Sequence, residues 1–203
     1  MQDPSILEAT GSEPLSMEEE IEMQISWRDD PKKCTFIVLA KERCQRFDEH
    51  GSVKEGIEDF KRIIVEDHLD AMVGDVNLFL SDVDDDDDDD EEQVDRPQKE
   101  PQLQAEIDIM IAEKEYQRKG LGKAATTSML LYGAAKLGVY RFFCKINEDN
   151  VASIRLFESL GFVQSDYAAC FKQVELELVK PLVELERILS PQGEYKCLAC
   201  PAD

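Results

Sequence analysis

The chain has 203 residues and a formal net charge of −22, and 42% of its residues are hydrophobic. This hydrophobic content suffices for the core of one globular domain, so a fully disordered chain is excluded. The excess of acidic residues argues against a general nucleic-acid binder, because phosphate binding needs a basic surface. No apolar run approaches the roughly 18 residues that cross a bilayer, which argues against a membrane-spanning protein.

Hydrophobic periodicity and turn residues predict a mixed α/β domain. Ser16 and Glu19 have the spacing of a capping box, which marks the start of the first helix. The predicted elements, in chain order, are a helix over 17–28, strands over 34–40, 72–80 and 103–112, a helix that opens at 117–122 and runs to about 137, a strand over 139–146, a helix over 150–160 and a strand over 171–178.

The same pattern predicts a single domain over residues 16–180. A loose lead-in over 1–15 precedes it, and a tail over 181–203 follows it. Within the domain, the charged residues 41–70 are interpreted as an insertion, with a short amphipathic helix near 57–64.

A highly acidic segment interrupts the predicted sheet. Ten acidic residues lie between positions 82 and 92, and Asp84–Asp90 is an unbroken run of seven aspartates. Like charges at this spacing repel one another, so we expect a disordered, solvated loop over 81–102. Two interpretations stay open: an expanded surface loop, or a polyanion that attracts basic partners or divalent cations. The flanking strands have no helix between them, which favours an antiparallel hairpin with a long turn.

The most informative segment is Gln-Arg-Lys-Gly-Leu-Gly at residues 117–122, between a predicted strand and a predicted helix. The first amides of a helix are unpaired and carry partial positive charge, which suits a phosphate or pyrophosphate. Gly120 and Gly122 allow close approach of the backbone, and basic side chains surround them in an otherwise acidic chain. An anion-binding loop and an ordinary strand–helix connection both remain open, while the Walker A and dinucleotide-binding patterns fit poorly.

Two segments in order resemble signatures of one family. Residues 117–122 resemble the acyl-CoA-binding motif Q/R-x-x-G-x-G/A of the GNAT superfamily of N-acyltransferases. Residues 150–162 resemble the next signature of that superfamily, an asparagine, a small residue, an aromatic residue and then Gly-Phe. The stretches 12–15, 34–39 and 72–80 are similar to the N-acetyltransferase 9 branch, which is near the ribosomal-protein alanine/serine acetyltransferases.

The resemblance implies a GNAT-like mixed α/β fold in which the parallel strands 103–112 and 139–146 splay apart to admit acetyl-CoA. The family normally begins with a further strand and helix, and we expect this chain to lack both, since only about 16 residues precede its first helix. Asn150 also suits a simple helix N-cap, which is compatible with a cofactor contact. The resemblance implies acetyl-CoA contacts from Met110, Ile111, Ala112, Gln117, Arg118, Lys119, Gly120, Leu121, Gly122, Lys123, Asn150 and Ser153.

The implied reaction is acetyl transfer to a primary amine, a protein N-terminus or a lysine, by direct attack in a ternary complex. Glu106 and Asp108 share one face of a strand and are the candidate general bases, with Glu106 favoured by the resemblance. The alternative is that this acidic face simply meets solvent. Phe157 stands where many members carry a tyrosine that protonates the leaving thiolate, so we assign Phe157 to the core. A catalytically impaired CoA-binding or protein-interaction relative is the alternative function.

The cysteines do not predict a metal site. Cys197 and Cys200 have the spacing of a zinc or redox pair, but structural zinc needs four ligands and His50 and His68 lie far away in sequence. Residues 1–4 lack the pattern of a secretory signal, so we expect reduced thiols and a cytoplasmic protein, with the nucleus as an alternative.

Overall fold

A computed structural model of the chain describes residues 14–44, 69–83, 102–179 and 181. Its helices are α1 (Met17–Asp29), α2 (Leu121–Tyr132) and α3 (Val151–Glu158), and one π-helical turn, Gly133–Leu137, continues α2. Its strands are β1 (Lys33–Leu39), β2 (Met72–Asp82), β3 (Leu103–Ile111), β4 (Val139–Asn147), β5 (Val163–Ala168) and β6 (Gln173–Val179).

The strands form one six-stranded sheet in the order β1-β2-β3-β4-β6-β5. β3 and β4 pair in parallel, and the other neighbours pair antiparallel. β2 and β3 pair from Gly74 with Ile111 to Asp82 with Leu103, which confirms the predicted hairpin across the acidic segment. The predicted mixed α/β fold is therefore confirmed.

The main hydrophobic core lies on one face of this sheet. Leu78, Ile107 and Phe142 are completely buried there, with Met129 of α2 and Phe157 of α3 packed over them. The side chains alternate between this face and a polar one, as the pleat of a strand requires. The apolar residues of β2, β3, β4 and β6 therefore fix which face carries the helices.

α1 lies at its predicted position, but the apolar stripe formed by Met17, Ile21 and Ile25 at helical spacing is not buried. The capping box is present, since Ser16 Oγ accepts from the Glu19 amide and the Glu19 carboxylate accepts from the Ser16 amide. Ile21 and Ile25 of the stripe are exposed, at 49% and 44%. The helix instead contacts the sheet through Trp27, whose ring lies edge-on to another aromatic ring, that of Phe79.

β5 was not predicted, because residues 163–168 carry almost no apolar alternation and five of the six side chains are exposed. Antiparallel pairing with β6 makes this segment a strand. The predicted helix near 57–64 and the aspartate run lie outside the described residues, as do most of the lead-in and tail. Ahead of β1, the described residues contain α1 and no strand.

Candidate functional site

A gap opens between the two parallel strands in the middle of the sheet. β3 and β4 pair only from Leu103 with Val139 to Glu106 with Phe143, although both strands continue further. On their outer sides the same strands stay paired, β3 with β2 and β4 with β6. The strands thus separate at their carboxyl ends, as the sequence resemblance implied.

The backbone of β3 does not present every residue to this gap. The Ala112 amide donates to the carbonyl oxygen of Val73 at 2.9 Å. A Cβ built on Gly74 of β2 would collide with the carbonyl oxygen of Met110. These backbone groups of Met110 and Ala112 therefore face β2, and not the gap.

The intervening residues of β3 point the other way, because backbone groups alternate in direction along a strand. The N–H and C=O groups of Ile109 and Ile111 consequently face the side from which β4 diverges. The Ile111 carbonyl oxygen already accepts a hydrogen bond from Gln117 Nε2, at 2.8 Å. Gln117 thus ties the following loop to the end of β3.

The loop between β3 and α2 has an unusual backbone. Arg118 and Gly120 both adopt positive φ angles, 59° and 87°. Alternation of left- and right-handed residues turns successive amides to one side and forms an anion-binding concavity. α2 has no side-chain N-cap, and its first internal bond runs from the Ala124 amide to the Gly120 carbonyl at 3.0 Å. The amides of residues 121–123 therefore precede the helical hydrogen-bond ladder.

The two glycines of this loop serve different purposes. At Gly120 the positive φ favours glycine, because residues with a side chain rarely adopt it. Space is not the reason, since a Cβ built there would meet no atom within 4 Å. A Cβ on Gly122 would lie 3.2 Å from Leu156 Cδ1 of α3. Gly122 thus permits the close packing of α2 on α3. Arg118, Lys119 and Lys123 are exposed around the open amides.

Asn150 is the N-cap of α3, since its Oδ1 accepts from the Ser153 amide at 3.2 Å. The N-cap interpretation is therefore confirmed, and contacts of Asn150 and Ser153 with a cofactor stay a prediction. Phe157 is buried at 2% exposure and packs edge-on against Phe162, with ring centroids 5.0 Å apart. Its predicted place in the core is confirmed.

Carboxylates gather on the polar face of the sheet beside the gap. Asp108 lies directly opposite Asn77 of β2, and Glu106 lies on the same face. Asp108 is exposed to solvent, yet the pKa of its carboxyl is raised to about 6, first by desolvation from the surrounding groups and then by the negative charges of Glu106 and Asp75. Asp108 therefore changes protonation near the pH at which a general base must work.

A small hydrogen-bond network supports this cluster. Asn77, which is 6% exposed, donates through Nδ2 to Asp75 Oδ2 at 2.6 Å. Its Oδ1 accepts from Thr35 Oγ1 at 2.7 Å. Desolvation raises the pKa of Asp75, and the bond from Asn77 opposes that rise. Asp75 and Asn77 were not identified as site residues from the sequence. They are distant from Asp108 in sequence, and only the pairing of β2 with β3 brings them close to it.

Arg141 joins three strands just before β3 and β4 separate. Its side chain donates to Glu177 at 2.7 Å, to Gln104 Oε1 at 2.7 Å and to Glu175 at 3.0 Å. The side chains of the three charged residues are only 22–26% exposed. Arg141 thereby links β3, β4 and β6 on the polar face.

We expect Arg141→Met to lower the free energy of unfolding by about 2–4 kcal/mol, because two partly buried carboxylates lose their partner. Chemical denaturation measures this change. Arg28→Met is the matched control, since Arg28 pairs with its neighbour Asp29 on an exposed helix surface and its loss should leave the midpoint unchanged. Equal unfolding midpoints for Arg141→Met and Arg28→Met would contradict a stabilising role of Arg141.

Within the described part of the chain, no cluster of three or more histidine, cysteine, aspartate or glutamate side chains has the arrangement of a metal site. Cys34, Cys44, Cys144 and Cys170 are free thiols. Cys197 and Cys200 lie outside the described ranges. No helix in those ranges is long and apolar enough to span a membrane.

Comparison with known proteins agrees with this geometry. Residues 1–163 match the acetyltransferase (GNAT) domain family. An N-acetyltransferase 9-like protein of Nematostella vectensis is 40% identical over 177 residues, which cover 87% of this chain and 73% of that protein. The alpha/beta-tubulin-N-acetyltransferase 9 of Homo sapiens is 38% identical over 178 residues, which cover 88% and 70%.

Among solved structures, the spermidine N-acetyltransferase of Vibrio cholerae in complex with CoA and spermine superimposes with a TM-score of 0.56. The two chains are 17% identical, and the match covers 88% of this chain and 85% of that one, so this likeness concerns the fold alone. The predicted enzyme class, an N-acetyltransferase, is confirmed by the family match and the named relatives. The chain belongs to the GNAT family of acetyltransferases.

Proposed function

We propose that the protein is an acetyl-CoA-dependent N-acetyltransferase that modifies a protein amine, either an N-terminus or a lysine. The observation that carries this proposal is the gap between β3 and β4, which leads directly to the open amides at the start of α2. A long thioester with a diphosphate group matches such a path, because one end needs a strand edge and the other needs an anion site.

The residues present fit acetyl-CoA. The pyrophosphate would lie on the amides of residues 118–123, with the side chains of Arg118, Lys119 and Lys123 adding positive charge. The pantetheine arm would pair with the backbone groups that face the gap. Within the predicted stretch Met110–Ala112, the direction of the backbone favours the Ile111 amide, and it adds Ile109.

Acetyl transfer needs a neutral amine, so a bound ammonium group must first lose a proton. We propose Asp108 as the acceptor of that proton, with Glu106 as the alternative, because Asp108 lies beyond the last paired residue of β3. Acetyl-CoA supplies the activated acyl group. In the balanced reaction the ammonium would give one proton to the carboxylate, the N–C bond would form as the C–S bond breaks, and the second proton lost by the nitrogen would reach the leaving thiolate through solvent.

A protein acceptor is supported by the relatives, since a chain 38% identical to this one is named an α/β-tubulin acetyltransferase. The test measures release of free CoA thiol from acetyl-CoA. The acceptors are α/β-tubulin, peptides with a free N-terminus, N-blocked peptides with one lysine, and spermidine. We expect turnover with a protein or peptide, and mass spectrometry of the product to locate one added acetyl group.

Turnover with spermidine alone would contradict the protein acceptor. Binding of acetyl-CoA without thiol release for any amine would overturn the enzymatic proposal. That result would favour a CoA-binding relative without catalytic activity.

A further inference from the structure

A tyrosine, Tyr116, lies at the start of the loop between β3 and α2, whose residues 118–123 form the proposed phosphate-binding loop. Tyr116 ends a short 3-10 turn two residues before Arg118, and it is only 6% exposed. It forms a small hydrophobic cluster with Ala40 and Val73, separate from the main core. The buried side chain of Tyr116 therefore anchors the start of the phosphate-binding loop.

Two cations lie against the ring of Tyr116. The guanidinium carbon of Arg43 is 4.9 Å from the ring centroid, and the Lys119 ammonium is 5.2 Å from it. Both distances are within the range of a cation–π contact. Lys119 belongs to the phosphate-binding loop, whereas Arg43 comes from the 3-10 turn Lys41–Arg43 after β1. The ring thus connects two segments that are far apart in sequence.

Arg43 makes two further contacts. It forms an ion pair with Glu115, which precedes Tyr116, and it donates to the carbonyl oxygen of Asp70 at 3.2 Å. Arg43 therefore neutralises an acid at the edge of the anion site and joins the residues before β2 to the loop.

From these contacts we infer that Arg43 and Tyr116 are positioning residues that set the affinity of the loop for acetyl-CoA; this inference rests on the proposed function. Arg43 acts through Tyr116 and Glu115 and does not need to touch the ligand. Without it, the Tyr116 ring loses a partner and the Glu115 carboxylate stands uncompensated beside a binding site for an anion. Both changes weaken binding of a diphosphate.

Isothermal titration of the whole chain with acetyl-CoA tests the inference. We expect Arg43→Met to raise the Kd about tenfold, and Arg43→Lys, which keeps the charge but not the forked donors, to stay within about threefold of the wild type. Tyr116→Leu should weaken binding at least as much as Arg43→Met. Arg28→Met is the control, because Arg28 pairs with its neighbour Asp29 on the exposed surface of α1, and α1 packs against β1 and Phe79.

Three readouts separate this role from a general loss of structure. The melting temperature of Arg43→Met should stay near that of the wild type, because the side chain is partly exposed. Hydrogen exchange should accelerate at the amides of Tyr116 and Gln117, which donate to the carbonyl oxygens of Glu113 and Lys114, and not in β4. With an accepted amine, the KM for acetyl-CoA should rise while kcat changes less than twofold.

A wild-type Kd in Arg43→Met would overturn this inference and leave the proposed function intact. Failure of the wild-type chain to bind acetyl-CoA would instead overturn the proposed function. Equal weakening by Arg28→Met and Arg43→Met would also overturn the inference, because the effect would then not depend on the Tyr116 contacts.

Discussion

Gly120→Glu is expected to weaken acetyl-CoA binding by at least about 100-fold. Gly120 has a φ of 87°, which costs about 1–2 kcal/mol for a residue with a side chain. The new carboxylate would also stand among the amides proposed to receive the pyrophosphate, so like charges would meet there. A 100-fold loss corresponds to about 2.8 kcal/mol, since each 1.4 kcal/mol is a factor of ten. Like charges brought together in a binding site cost several kcal/mol, so the charge alone accounts for the expected loss, and the φ strain lowers stability instead.

Gly138→Glu is the matched control for backbone strain. Gly138 also has a positive φ, 74°, and a Cβ built there likewise meets no atom within 4 Å. It lies after the π-helical turn that continues α2, at the opposite end from the loop. Both variants should lose similar stability, but only Gly120→Glu should lose binding. Equal affinities in two folded variants would contradict the anion site.

Asp108→Asn is expected to lower kcat/KM by about 10²–10⁴-fold, the range for loss of a general base. The amide keeps the shape of the side chain but cannot take a proton from the acceptor ammonium. Acetyl-CoA affinity should not change, because Asp108 lies on the polar face of the sheet and the proposed pyrophosphate site is at the start of α2. Steady-state kinetics and a binding titration on one preparation measure both quantities.

The pH dependence of kcat/KM tests the assignment of Asp108 as the general base. The base must be deprotonated, and desolvation and the negative charges of Glu106 and Asp75 raise the pKa of Asp108 to about 6, although the residue is exposed to solvent. The wild-type kcat/KM should therefore fall as the pH drops through about 6, and Asp108→Asn should remove that limb. Glu106→Gln is the comparison variant. A full loss in Glu106→Gln with normal activity in Asp108→Asn would transfer the role to Glu106.

Local sequence patterns predicted the sheet where side chains alternate between a buried and a polar environment. Ile107 and Ile109 of β3 alternate with Glu106 and Asp108, so both the strand and its two faces could be predicted. β5 could not, because its exposed residues 163–168 lack such a pattern and depend on pairing with β6.

The candidate site likewise contains residues that are contiguous in sequence and residues that only folding brings together. The loop at 117–122 is contiguous, so its glycines and basic residues were visible in the sequence. Arg141 lies 34 and 36 residues from its two carboxylate partners, and Arg43 lies 72 residues from Glu115. Only the folded sheet brings these groups together. For Gly122 the sequence indicates close approach of the backbone, and the 3.2 Å between a built Cβ and Leu156 Cδ1 adds a packing role.

The most direct test of the central claim is a thermal-shift titration of the wild type and Gly120→Glu with acetyl-CoA, CoA, ATP and NAD. A ligand that binds only the folded state raises the melting temperature as its concentration exceeds the Kd. We expect stabilisation of the wild type by acetyl-CoA and CoA, little effect of ATP or NAD, and no CoA-dependent shift in Gly120→Glu. A folded wild-type protein whose melting temperature does not shift with either CoA species would contradict the proposed acyl-CoA site.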